Sequence, residues 1–556
     1  MTAETADPQG SAVLAYARIA LAHGGYNAAV VKPWIRRLLL SLAVAAAVVV
    51  HTWQLDRAPV YLGNDETAFA LQAHAIATTA RDEDGRFLPV YFHIFDNLWF
   101  HPALVYAMAP VMAVVPPEPW AVRLPTALLA IANVVLVFLL ARRLGASDVA
   151  AIGASVLLTL TPAHVMHGRL GGDYLYPVPC VLMWLILLID YNRLRTPWRL
   201  VAAGAVLGLG LYTYIASLVT MPVLLVLTFV VLFLTGVRQI KQYALVAAGF
   251  VLLALPMAIW LVEVPEVYAG FAGRYRDTGV DVVHSPFGFF QPTLMKQRWS
   301  VYSSFFTWSF LFDRAETAVI SSTYGTGVLL KAMSVLLPIG VYHLIRNRRT
   351  AFTMLVLTVF FCAPLAASLV NERYTIDRAL VLVAAAALIG AFGIDWLLER
   401  RRVALLTWAG RTICAGLMIW MGVQFKDFYR DYMTDYRCRS AFWFNGNHPG
   451  AFEPIVRDHP PGGTTLIYLS ETLPWVRQHW KLYLLRTGRM DLLPRTVYFS
   501  LERLDLGNVR PGSVLLTGWD DPASRAFAQT SAVKMAGVTS NPDGSISFAR
   551  FERARN

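Results

Sequence analysis

Asp65 and Glu66 stand just beyond the apolar run 38–53, where a pair of carboxylates must be solvated, paired or used. A carboxylate there can take a proton from an acceptor hydroxyl, and neighbouring carboxylates raise one another's pKa, which suits base work near neutral pH. Asp65 is the candidate base, and Glu66 would orient the acceptor or tune Asp65. The competing reading makes Asp65 a helix N-cap followed by a first-turn glutamate.

The segment HGRLGGDYLY at 167–176 brings Arg169 and Asp173 together around a glycine turn. Arginine suits a phosphate, and aspartate suits an acceptor or a metal. A structural Arg–Asp pair closing the loop is the alternative. His101, with His93 and Asp96 nearby, could meet an anionic head group or could cap a helix. Glu372, Arg373, Asp377 and Arg378 form a mixed cluster in which Arg373 and Arg378 would neutralise a lipid phosphate. As solvated ion pairs they would contribute little. Arg274, Arg276, Lys296, Arg298 and Arg314 make 262–326 basic, either to attract anionic lipid or as a solvated face.

The elements that must position these groups are membrane spans. Hydrophobic residues make up 56% of the 556 and charged residues 15%, against about 25% charge in a soluble domain. The net charge of +12 is broken into short basic clusters between apolar runs, which argues for membrane topology and against nucleic acid. Runs near 36–54, 122–141, 149–166, 177–191, 199–215, 217–235, 243–261, 327–345, 351–370, 379–398 and 403–423 predict about eleven spans at roughly 20 residues each. With eleven spans every basic cluster falls on one side. That places the N-terminus, 1–35, in the cytoplasm, the membrane domain at 36–425 and the tail at 426–556 outside.

The long first outer loop, 54–121, carries a helical rhythm over 66–81. HPALVYAMAPVMAVV at 101–115 is short and holds Pro110, so it reads as a helix along the membrane face rather than a span. The tail carries strand patterns at 464–470, 496–500, 513–518 and 545–551, with a helix at 473–486. The expected fold is a polytopic α-helical membrane protein with a small C-terminal α/β domain. The four cysteines show no disulfide or zinc spacing. No Walker A sequence is present, so ATP-driven transport finds no support, and no extramembrane part looks like a cytoplasmic nucleotide-binding domain, so a sugar donor would be lipid-linked rather than a nucleotide sugar.

Four stretches resemble the C-type (GT-C) glycosyltransferases: NDETAFALQAHAI, ARDEDGRFLPVYF, HPALVY with AVRLPTALLAIANVVLVFLLARRLG, and LTPAHVMHGRLGGDYLYP. The branch they resemble includes protein O-mannosyltransferases, the aminoarabinose transferase of lipid A and rhizobial galacturonosyltransferases. The resemblance covers about residues 50–195 and implies a catalytic Asp65, its partner Glu66 and a second-loop acidic residue at Asp173 with Arg169 before it. Ala68 stands where the aminoarabinose branch has an arginine, and His101 where it has a lysine, so the phosphate-binding set differs.

The resulting expectation is a glycosyltransferase of the bacterial inner membrane, with its site on the periplasmic face. A polyprenyl-phosphate sugar would be the donor, and a hydroxyl of a lipid, glycan or protein the acceptor. Asp65 would be the base, and Arg169, Arg373 and Arg378, with His101, would meet the phosphate. A divalent metal is compatible with the carboxylates, without a readable ligand set, and membrane lipids are the remaining partners. A proton-coupled secondary transporter and a non-catalytic binder of lipid-linked glycan stay as alternatives.

Overall fold

The computed structural model describes residues 32–96, 98–267, 270, 292–370 and 373–554. Almost all of the expected N-terminal segment lies outside them, as do Arg274, Arg276 and Glu372.

The first span, α1 (Pro33–Thr52), leads to α2 (Asn64–Thr79), the short hairpin β1 (Phe92–Phe95) and β2 (Leu98–Phe100), and α3 (Pro102–Met112). At about 1.5 Å per residue α3 is far shorter than a bilayer core of about 30 Å, in keeping with a helix at the membrane face. Then follow α4 (Pro119–Arg143), α5 (Asp148–Thr159), α6 (Pro162–Gly168), α7 (Pro177–Leu194), α8 (Trp198–Gly210), α9 (Ser217–Leu234) and α10 (Ile240–Glu263). From residue 292 onward come α11 (Pro292–Ser304), α12 (Met333–Arg346), α13 (Ala351–Cys362), α14 (Leu365–Leu369), α15 (Val381–Leu398) and α16 (Ala404–Met433).

Among the described residues eight helices are long and apolar enough to cross a membrane, or nine if α5 and α6 count as one bent span. Every one of the eleven expected runs is helical, but α8 and α12 have only 13 and 14 residues. The 149–166 run is broken by 60° because Pro162 supplies no amide and forces Thr161 out of helical backbone. That break turns His167, Gly168 and Arg169 away from the axis of α5.

Close backbone contact joins α8 to α10. A Cβ on Gly204 would lie 2.0 Å from the Val246 carbonyl, and one on Gly249 would lie 2.0 Å from that of Val201. Small residues at such crossings let membrane helices gain dispersion contact that lipid would otherwise supply. The central helix is α15, almost wholly buried, whereas α10 presents most of its surface outward.

The basic clusters gather at one end of the bundle. Asp148 holds Arg36 and Arg142 (3.4 and 3.2 Å), Asp190 holds Arg143 (2.9 Å), and Asp395 accepts from the Ser147 amide (3.1 Å). The acidic groups singled out in the sequence lie at the opposite ends of these same helices.

The tail begins with α17 (Asp435–Ser440) and α18 (His448–Asp458), then builds a five-stranded sheet in the order β4-β3-β5-β7-β6. β3 (Ile467–Ser470) pairs in parallel with β4 (Thr496–Phe499) and β5 (Val514–Gly518), while β7 (Ile546–Arg553) is antiparallel to β5 and to β6 (Val533–Ser540). Alternating residues supply two cores. Ile467, Leu469 and Leu516 pack under α18 and α19 (Val476–Thr487), and Tyr468, Leu515 and Phe551 pack under α20 (Pro522–Ala528). β6 was not expected. It is a largely exposed edge strand carrying Lys534 and Gly537, with register shifts, and so lacks apolar alternation. The four described cysteines are unpaired.

Candidate active site

Glu66 and Asp65 part company within one helical turn. Glu66 is 2% exposed and caps α2 from inside, accepting from the Gly63 amide (2.9 Å). It also accepts from the Gly171 amide (2.8 Å) and from Arg123 Nε (2.8 Å). Arg123 is fully buried in α4, and its remaining donors reach the carbonyls of Leu55, Pro59 and Tyr61 (3.0, 2.9 and 2.7 Å). One ion pair thereby fastens the first outer loop, the start of α2 and the second outer loop to a membrane helix. The expected capping residue is thus Glu66, not Asp65, and Glu66 does not reach the cavity described next. Its place is to position its neighbour.

Asp65 faces a cavity of about 240 Å³ with Phe69, Trp99, His101, Asp173, Tyr174, Tyr214, Asp377 and Arg378. The Tyr174 hydroxyl donates to Asp65 Oδ2 (2.8 Å). Burial, then the nearby Asp65 and Asp377, push the Tyr174 phenol well above its ordinary pKa, so it stays a proton donor to that carboxylate. Its ring stands edge-on to Tyr214 (5.3 Å) and to His167 (6.1 Å). His101 ends the hairpin, leads into α3 and packs against Tyr91 (5.1 Å) without capping the helix. His93 turns away, bonded to Asp84 (2.8 Å) and the Asp96 carbonyl (2.9 Å).

Two expected phosphate ligands lie elsewhere. Arg169 is fully buried and donates to the carbonyls of Val50, Trp53, Gln54 and Ala58 (2.9 to 3.2 Å). The last carbonyls of a helix have no partners of their own, and Arg169 supplies them for α1. Both Nη groups are engaged there and Arg169 does not line the cavity, which sets it apart from the expected phosphate ligand and from a pair with Asp173. Arg373 donates to Ser300 Oγ (2.6 Å) on α11 and does not line the cavity. Of the expected phosphate ligands, Arg378 and His101 are the ones that line it.

Asp377 is the residue whose weight the sequence understated. It lines the cavity, with His167 Nε2 at 2.6 Å from its Oδ1 and Ser321 Oγ donating to the same oxygen (2.8 Å). Burial alone would raise its pKa. The two hydrogen bonds, the His167 charge and Arg378 outweigh that and hold it below the usual carboxylate range. Among the described residues no group of three or more His, Cys, Asp or Glu is arranged to hold a metal. Asp65, Asp173 and Asp377 share the cavity without forming such a set. Tyr174 belongs to the segment that carries Asp173, whereas Trp99 lies between the two resembling stretches of the first loop, and the Tyr174 contact had no sequence signal beyond its neighbourhood with Asp173.

A model of the dolichyl-phosphate-mannose-protein mannosyltransferase family matches residues 101–260. No curated protein sequence matches the chain significantly. The crystal structure of ArnT from Cupriavidus metallidurans bound to undecaprenyl phosphate superposes with a TM-score of 0.56 at 14% identity, covering 92% of this chain and 97% of that one. AglB from Archaeoglobus fulgidus, in complex with an inhibitory peptide and a dolichol-phosphate, gives 0.50 at 14% identity over 82% of this chain and 64% of that one. The chain thus shares the fold of these GT-C membrane proteins, and part of it is similar to the mannosyltransferase family.

Proposed function

We propose that the protein transfers a sugar from a polyprenyl-phosphate carrier to a hydroxyl of a lipid, glycan or protein at the periplasmic face of a bacterial cytoplasmic membrane. The observation that carries this reading is the single cavity shared by Asp65, Asp173, Arg378 and His101. The lipid phosphates held by ArnT and AglB support a lipid-linked donor.

The acceptor hydroxyl attacks the anomeric carbon as the Asp65 carboxylate takes its proton. A bond forms between that carbon and the acceptor oxygen. The bond to the phosphate oxygen breaks with inversion, and its electron pair leaves with the phosphate. Phosphate is a good leaving group, so no strong general acid is needed. The departing charge falls to Arg378, with His101 beside it, and Asp173 positions the acceptor. Glu66 and Arg169 act through the loops they fasten.

Transfer from radiolabelled polyprenyl-phosphate sugars into membrane extracts tests the proposal. Wild type should transfer label and a folded Asp65→Asn variant should not. Equal transfer by both removes Asp65 from the role of base.

A further inference from the structure

His167 and Asp377 meet in the wall of the cavity, His167 from the end of the bent span and Asp377 from the loop before α15. His167 Nδ1 lies 2.7 Å from the Ala163 carbonyl one turn earlier, and a carbonyl can only accept, so Nδ1 carries a hydrogen. Nε2 lies 2.6 Å from Asp377 Oδ1. Either Nε2 also carries a hydrogen, or the carboxyl proton sits between the two groups. The Ser321 hydroxyl donates to the same Oδ1 at 2.8 Å, which fits an acceptor oxygen and hence the carboxylate. The pair is then an imidazolium facing a carboxylate, with no net charge.

That neutrality has a use. Asp65, Asp173 and Asp377 all line the cavity, and three uncompensated carboxylates would repel a phosphate-bearing ligand from a low-dielectric site. Arg378 offsets one of them, and the buried His167, outside the lining, offsets Asp377 from behind. Both of these hydrogen bonds fall on Oδ1, so Oδ2 is the oxygen presented to a ligand. A carboxylate oxygen anchored in this way accepts and cannot donate, which matches a hydroxyl and mismatches a carbonyl or a second anion.

We infer that Asp377 Oδ2 accepts a hydrogen bond from a hydroxyl of the transferred sugar, and that His167 is a positioning residue that holds this carboxylate ionised and in register. The inference rests on the glycosyl-transfer reading for the identity of the ligand, but not for the state of the pair.

The test has two arms, both on the full-length protein in detergent. In the first, histidine is labelled with ¹⁵N, and wild type, His167→Gln and Asp377→Asn are compared by NMR. One ring with both nitrogens protonated should be present at pH 7 in wild type, vanish in His167→Gln and lose its second ring proton in Asp377→Asn. The remaining histidine signals report that the variants fold. A neutral His167 at pH 7 in wild type overturns the ion pair.

In the second arm, transfer from radiolabelled polyprenyl-phosphate sugars is measured against donor concentration. Loss of one hydrogen bond to a charged group should raise the donor KM roughly tenfold to a hundredfold in Asp377→Asn, with a smaller change in kcat. His167→Gln should follow it. An unchanged KM in Asp377→Asn overturns the hydroxyl contact. Wild type that transfers from no donor defeats the glycosyl-transfer reading and the hydroxyl contact with it, while the NMR arm still decides the pair.

Discussion

Asp65 and Glu66 are neighbours in the chain, and the structure predicts opposite consequences for removing them. Glu66→Ala deletes the acceptor of four hydrogen bonds, two of them from Arg123 at 2.8 and 3.3 Å and two from the Gly63 and Gly171 amides. Arg123 would remain fully buried with its charge facing only carbonyls. Breaking a buried ion pair from one side costs about 3–5 kcal/mol, and an orphaned buried amide adds about 1–3 kcal/mol unless water reaches it. A loss of at least about 4 kcal/mol is therefore expected. Asp65→Asn keeps size and an acceptor oxygen for Tyr174, so its stability cost should stay below about 1.5 kcal/mol. Its activity should fall by about 10² to 10⁴, the usual worth of a general base. Unfolding in detergent, followed by tryptophan fluorescence beside the transfer assay, separates the two. Wild-type stability in Glu66→Ala, or an Asp65→Asn variant as unstable as Glu66→Ala, would refute the division of labour.

Other outcomes follow from the same geometry. Arg378→Ala should weaken undecaprenyl-phosphate binding in a tryptophan-quench titration about tenfold or more, while Arg373→Ala should leave it within twofold. Tyr174→Phe removes one hydrogen bond on Asp65 and should lower kcat about tenfold at unchanged melting temperature. Gly204→Val should abolish folded protein on size exclusion, because its side chain would overlap the Val246 carbonyl. His448 and His479 stack at 4.3 Å where α19 meets α2, with His479 bonded to Thr67 (3.2 Å) and Asn64 (3.1 Å). Burial depresses both, His479 to about 4 and His448 further through its neighbour. Their contribution is complete above pH 6.5, and it falls by up to about 1.4 kcal/mol per pH unit per histidine as the pH drops toward 4. Limited proteolysis should release the tail domain faster at pH 5 than at pH 7.5, and this difference should shrink in His479→Gln.

The sequence alone determined the membrane architecture, because spans of about 20 apolar residues are written in local composition and need no tertiary partner to be read. It also determined the stretches that reach the cavity: Asp65, His101, Asp173 and Arg378 were all singled out from residue type and loop position. The tail's strands β3, β4, β5 and β7 were legible through apolar alternation, and the exposed edge β6 was not, for want of it. Only the tertiary structure decided what each charged side chain does. Glu66 is as acidic as Asp65, but a helical turn rotates successive residues by about 100°, so one meets Arg123 and the other the cavity. Arg169 reads as a phosphate ligand until the end of α1 and the loop after it, some 115 residues earlier in the chain, present it with four carbonyls. Asp377 reads as one charge in a surface cluster until Pro162 bends its span and delivers His167 to it. Hydrogen bonds between distant segments are satisfied in space, and no pattern of neighbours along the chain encodes which partner a buried charge will find.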